Sequence, residues 1–374
     1  MRLTRTTGTA ALLTAAGLVA ATAVSAYAAT SDPLRDQQWG LDQIRAEQAW
    51  TSTTGQGAVV AVLDTGVDFD HPDLKANLRQ GATFTCGNQP APCGNGDFRG
   101  PDGENNGDEH GTHVAGIVAA VTDNGIGVAG TAPDADILPV KVLEAGSGSF
   151  EEIAAGIHWA TDNGADVINM SLGGLAGTQV LTLTGLASEV TEAIAYANSQ
   201  GVSVIAAAGN STTPFCNTPA FEPSAICVAS TDRNEVKSWF SELPNKPDLK
   251  AVTAPGGAGL FFCEDDIVST VPLGTGSDVC GESDYDYYAG TSMATPHVAG
   301  VAALLFAQGR SLENVEAAIL DTARQPLTET TGVYSPAYGW GIVDASAAVE
   351  YAGATSSSPT KGNGNGKGKG PKKG

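Results

Sequence analysis

The chain has 374 residues, of which 42% are hydrophobic and 16% charged, and its formal net charge is −22. That length suffices for one large α/β domain or two small ones, and so acidic a chain excludes the phosphate backbone of nucleic acid as a partner. Positive charge gathers at the two ends, so the body between them is more acidic than the whole, which favours solubility and leaves room for cations. The first 28 residues read as a secretory signal: Arg2 and Arg5, the apolar run AALLTAAGLVAATAV, then AYA, with cleavage expected after Ala28. The apolar run is short for a membrane span and none longer follows, so a secreted protein without a membrane anchor is expected. AVVAVLDTG (58–66) predicts a buried strand entering a glycine turn, and GTHVAGIVAAV (111–121) a helix of small apolar residues. DILPVKVL (136–143) predicts a strand. SFEEIAAGIHWATDNG (149–164) predicts a helix capped by Ser149 with Glu152, and ended by Asn163-Gly164. A strand follows over 165–174, a helix over 187–201 and a strand over 202–210. This alternation predicts a mostly parallel central sheet with helices on both faces. The last stretch, 353–374, is rich in Gly, Ser and Lys and predicts a disordered basic tail.

Ligands of such sheets bind beyond the carboxyl ends of the strands. Asp64, Ser171 and Asn210 all lie at or just past such ends. Late in the chain, GTSMATPHVAG (290–300) sets Ser292 where a helix begins. An N-cap would account for a serine there. A nucleophile would also suit it, because a helix start offers unpaired N–H groups to a developing anion. A serine needs a base. DEHGTHVAG supplies His110, VLDTG supplies Asp64 to hold one imidazole tautomer, and AAAGN supplies an amide at Asn210 for an oxyanion. His113 and His297 lie in small-residue helices and are expected to pack, whereas His71 and His158 are expected near the surface.

Taken together, VAVLDTGVD, HGTHVAG, AAAGN and GTSMATPHVAG, in that order, resemble the subtilisin-like serine peptidases, nearest in pattern to the thermitase and proteinase K branches. GVAGTAPDADILPVKVL, GADVINMSLGG and TAPGG agree, and the likeness runs from about Asp32 to Tyr351. It implies a three-layer subtilisin-like fold over 29–352 and peptide-bond hydrolysis through an acyl-enzyme. Asp64, His110 and Ser292 would be the triad, and Asn210 the oxyanion-hole amide. Ser171, Leu172, Gly173 and Gly174 would pair with substrate backbone by strand addition, with Ala208 and Gly209 opposite them. The stretch 32–50 already resembles the start of the catalytic body, so no folding prodomain is expected between it and Ala28. Calcium is also implied, held by Asp32, Asp73 and Asn124 with the carbonyls of Val121, Ile126 and Val128, an oxygen set suited to a hard cation. The acidic loop 95–109 offers Asp97, Asp102 or Glu104 to a second ion.

The six cysteines allow fifteen pairings. They fall into three close pairs in sequence, and export to an oxidising compartment makes Cys86–Cys93, Cys216–Cys227 and Cys263–Cys280 the expected bonds. The expected function is a secreted serine endopeptidase of broad specificity, acting as a monomer on proteins or peptides. A dedicated processing protease is the alternative within the class, and a non-catalytic peptide-binding descendant the alternative outside it. No triad residue is missing, which favours the enzyme. Small and apolar residues at 171–174, 207–210 and 217–223 point to an apolar or aromatic side chain before the scissile bond.

Overall fold

A computed structural model describes residues 30–100, 107–173, 178, 180, 183 and 188–353. The signal-like segment, the basic tail, Asp102, Glu104 and Gly174 lie outside the described residues. Seven parallel strands form the central sheet: β1 (Val59–Asp64), β2 (Ala82–Thr83), β3 (Asp136–Lys141), β4 (Val167–Met170), β5 (Ser203–Ala207), β6 (Ala225–Thr231) and β7 (Ala251–Pro255). Their spatial order is β2-β3-β1-β4-β5-β6-β7. β1 therefore stands where the order reverses, with β3 on one side and β4 on the other, so the crevice past its carboxyl end is where an open parallel sheet receives a ligand.

The sheet is buried on both faces, as its apolar strands require. Along β1, Val60 and Val62 join the core of one face, while Val59, Ala61 and Leu63 join the core of the other. The first face carries the helices His110–Ala119 and Thr291–Ala307, the second Phe150–Asp162 and Ser188–Ser199. The Phe150 helix begins as its sequence predicts: Ser149 Oγ accepts from Glu152 N, and Ser149 N donates to the Glu152 carboxylate. Observed strands are shorter than expected at their carboxyl ends. The strand expected over 165–174 stops at Met170 and the one over 202–210 stops at Ala207, since the chain leaves the sheet there to line or support the crevice.

An antiparallel hairpin, β8 (Ile267–Thr270) with β9 (Tyr285–Tyr288), was not legible, because the Gly-, Ser- and Asp-rich segment between its strands lacks periodicity. It buries His71, which the sequence places near the surface. His71 is 0% exposed. Its Nδ1 accepts from Asp73 N and its Nε2 donates to the Asp284 carbonyl, while Tyr285 meets the ring edge-on. Burial pushes its pKa down, which outweighs the nearby Asp284 carbonyl and the Asp68 and Asp284 carboxylates. His113 and His297 are buried as expected, and His158 is exposed. The disulfides Cys86–Cys93, Cys216–Cys227 and Cys263–Cys280 are all formed. Among the described residues, no helix is long and apolar enough to cross a membrane.

Candidate active site

Asp64 ends β1 with its side chain fully buried. His110 is the first residue of its helix. Gly111 makes the close approach of this helix start to the chain after β1 possible: a Cβ there would lie 2.2 Å from the Gly66 carbonyl oxygen. The two side chains meet through His110 Nδ1 and Asp64 Oδ1 at 2.7 Å. Thr65 N donates to the same Oδ1 at 2.8 Å. Burial lowers the His110 pKa, but the charge and hydrogen bond of Asp64 outweigh it, and the net direction is up. With Nδ1 held by the carboxylate, Nε2 is the nitrogen left to exchange a proton.

Ser292 is the second residue of the Thr291 helix. The N-cap is Gly290, without a side-chain cap, so Ser292 does not serve as one. Its Oγ donates to the Ser171 carbonyl at 3.1 Å, and Ser171 Oγ donates back to the Ser292 carbonyl at 2.7 Å. The sequence explains the second bond. Residue 296 is proline and has no N–H for the carbonyl four residues before it, so that acceptor is available. Asn169 Nδ2 in turn donates to Ser171 Oγ at 3.0 Å.

Asn210 follows β5. Its Oδ1 accepts from Thr291 N at 2.9 Å and Thr291 Oγ1 at 3.0 Å, which turns Nδ2 away from the helix. A Cβ on Gly290 would lie 3.4 Å from Asn210 Nδ2 and 3.6 Å from Ser292 N. Both donors thus flank one small space that glycine leaves open, and an oxygen placed there could accept from both.

His110, Asn210, Ser292, Ser171, Leu172 and Gly173 line one cleft of about 600 Å³. Leu172 and Gly173 make no backbone hydrogen bond among the described residues, leaving that edge for an added strand. Ala208 and Gly209, expected opposite them, do not line the cleft. Ala208 N donates to Val228 O and its carbonyl accepts from Asn217 N; Gly209 N donates to Thr291 Oγ1 and its carbonyl accepts from Glu242 N. Their backbone groups are taken up by Val228, Asn217, Thr291 and Glu242. Thr218 and Pro219, within the expected 217–223 stretch, also line the cleft; sequence reasoning missed Leu143, Gly146, Ser147, Gly148, Phe150, Ile153 and Val190, which line it too. The stretch 143–148 follows β3, so the rule that loops past strand ends form the site would have found it.

Asp32 and Asp73 come together with the loop 121–128. Both are buried, and neither has an ion-pair partner among the described residues. Asp32 accepts from the N–H groups of Asp123, Asn124 and Gly125. Asp73 accepts from Asn124 Nδ2, Val128 N and Tyr285 Oη. Burial pushes the Asp73 carboxyl up to about 6, against the pull of those donors, and raises Asp32 as well. The carbonyls of Val121, Ile126 and Val128 accept no hydrogen bond among the described residues. Two buried, unneutralised carboxylates beside three unused carbonyls fit a hard divalent cation. Asn124 departs from expectation: its Oδ1 accepts from Ile126 N, and it presents its amide nitrogen to Asp73. Among the described residues, no group of three or more His, Cys, Asp or Glu is placed to hold a metal. Asp97 accepts from Arg99 Nη1 through both carboxylate oxygens, at 3.1 Å each.

Comparison with known proteins agrees with this geometry. The model of the Subtilase family, Peptidase_S8, matches residues 55–341. Thermitase from Thermoactinomyces vulgaris is 43% identical over 86% of this chain and 99% of its own. Subtilisin Savinase from Lederbergia lenta is 39% identical over 83% and 97%. Among solved structures, a protease from Pseudoalteromonas arctica PAMC 21717 superposes with a TM-score of 0.70 at 36% identity, covering 86% of this chain and 98% of that one.

Proposed function

Because the chain belongs to the subtilase family, and is accordingly a serine endopeptidase, we propose that it cleaves peptide bonds with Ser292 as nucleophile, His110 as base and Asp64 as the group that orients and charges that base. What supports this reading most is the 2.7 Å contact between His110 and Asp64, with His110 and Ser292 in one cleft. The Ser292 hydroxyl turns from the Ser171 carbonyl to His110 Nε2, transfers its proton and attacks the scissile carbonyl. The tetrahedral oxygen enters the space beside Gly290, where Asn210 Nδ2 and Ser292 N donate to it. The imidazolium, stabilised by Asp64, then protonates the leaving amine, and water repeats the sequence on the acyl-enzyme. Asn210→Ala should lower kcat by roughly 10²–10³-fold with little change in KM, because the amide acts on the transition state. Steady-state kinetics on a peptide anilide checks this; a raised KM at constant kcat would make Asn210 a binding residue.

Substrate backbone adds as a strand along 171–173, which recognises peptides with little regard to sequence. The cleft walls include Leu143, Phe150, Ile153 and Val190, so the cleft suits substrates with apolar or aromatic side chains, including the one before the scissile bond as the small and apolar residues near Ser171 suggest. A cleavage profile on a peptide library tests this, and preference for a charged residue there would contradict it. Calcium binds Asp32 and Asp73 with the carbonyls of Val121, Ile126 and Val128, and when bound supplies charge neutralisation, not chemistry at Ser292. Excess chelator should therefore lower the melting temperature while leaving initial rates at moderate temperature nearly unchanged. An unchanged melting temperature would refute the calcium assignment. We read residues 1–28 as a secretory signal, in keeping with three disulfides that suit an oxidising compartment.

A further inference from the structure

The largest fully buried side chain in the described structure is a charged one, Lys141, at the carboxyl end of β3. An ammonium group out of water is costly unless it is paired and its protons are bonded. Lys141 Nζ donates to Asp108 Oδ2 at 2.7 Å, to the Thr65 carbonyl at 2.6 Å and to the Phe98 carbonyl at 3.2 Å, and lies 2.9 Å from Glu144 Oε2. Asp108 is also fully buried.

The partners are not scattered through the fold. Thr65 follows Asp64, and Asp108 stands two residues before His110. Lys141 itself is the residue that pairs in register with Asp64 across β1 and β3. Thr65 adds two more links: its Oγ1 donates to the Asp108 carbonyl at 3.1 Å and accepts from Gly111 N at 2.9 Å. A closed circuit results, running from Asp64 through Thr65, Lys141 and Asp108 to His110, and back through the 2.7 Å bond between His110 and Asp64. A strand end and a helix start that share only one side-chain contact could drift apart. Here a buried charge fastens both.

We propose that Lys141 and Asp108 are positioning residues for catalysis: their buried ion pair fixes the His110 imidazole on the Asp64 carboxylate. The proposal rests on the triad reading above and deepens it. Apolar replacement of a buried ion pair often preserves stability, so an ion pair kept at this place is expected to serve geometry more than stability. A misplacement of the order of 1 Å at reacting groups costs roughly 10²-fold in rate.

Two variants test this. Asp108→Asn removes the acidic charge at nearly constant size and leaves Glu144 to neutralise Lys141. The double variant Lys141→Met/Asp108→Leu replaces the pair by apolar side chains and strands no charge. Expected for both is a fall in kcat of about tenfold or more at unchanged KM on a small peptide anilide. The low-field proton signal of the His110–Asp64 hydrogen bond should weaken in parallel, while the double variant keeps a melting temperature near the parent's. Parental kcat with an unchanged proton signal in either variant overturns the proposal. So does a rate loss that only follows lost stability and disappears on cooling with the signal intact. If the double variant does not accumulate folded, the signal and kcat of Asp108→Asn decide. Failure of the triad reading looks different: the unchanged parent would then not be labelled at Ser292 by a phosphonate.

Discussion

Ser292→Ala should lose roughly 10⁶-fold in kcat, the scale that loss of a serine nucleophile has in this family, and still fold. Among the described residues, Ser292 is the hydroxyl placed both in the cleft with His110 and at the helix start beside the donors Asn210 Nδ2 and Ser292 N. Stability should barely change. The substitution removes one hydrogen bond, from Oγ to the Ser171 carbonyl, worth about 1 kcal/mol. Ser171 keeps its own bond to the Ser292 carbonyl, and alanine favours the helix. The residual rate should still exceed that in water, since the oxyanion donors and the substrate strand remain. Rates on casein and on a peptide anilide, with melting curves for both proteins, check this. A comparable rate in the alanine variant would mean that another group attacks the carbonyl.

Asp64→Asn should lower kcat by about 10⁴-fold with KM unchanged. The change is nearly isosteric at a fully buried position, so the strand end and the helix start stay in place. What changes is the proton. A carboxylate oxygen accepts from His110 Nδ1–H and leaves Nε2 free to accept from Ser292. An asparagine that turns its amide nitrogen to Nδ1 forces the opposite tautomer, with the proton on Nε2. The imidazolium formed during attack also loses its counter-charge. The sign of the pKa effect follows: Asp64 holds the His110 pKa up against burial, so its removal moves the acid limb of the rate profile to lower pH. A pH profile of kcat/KM on both proteins tests it, and an acid limb unmoved by the substitution would place another group in control of that ionisation.

Much of this could be read before the structure, for reasons that differ by residue. The strand β1 and the helix after Ser149 were legible because each carries a local rule: an unbroken apolar run into Asp-Thr-Gly, and a capping box with a glycine stop. Asp64, His110, Asn210 and Ser292 were legible because each lies at an element end within a short motif, and four such motifs follow in order. The burial of His71 was not legible, since it depends on a hairpin more than two hundred residues away. Nor was the consumption of Ala208 and Gly209, whose bonds run to Asn217, Val228, Glu242 and Thr291. Phe150, Ile153 and Val190 look like ordinary core positions of amphipathic helices. Only tertiary packing turns them towards the cleft. Lys141 is a lone polar residue inside the apolar run DILPVKVL, and nothing local tells that its ammonium group is buried against Asp108.

The most direct test of the central claim is covalent. The protein is incubated with a phosphonylating serine reagent, weighed intact, digested and mapped. The account predicts one adduct per molecule, on Ser292 alone, with hydrolysis of the anilide lost in proportion and labelling strongly slowed in Asp64→Asn. An adduct on a different residue, or full hydrolytic activity with no adduct at Ser292, would contradict it.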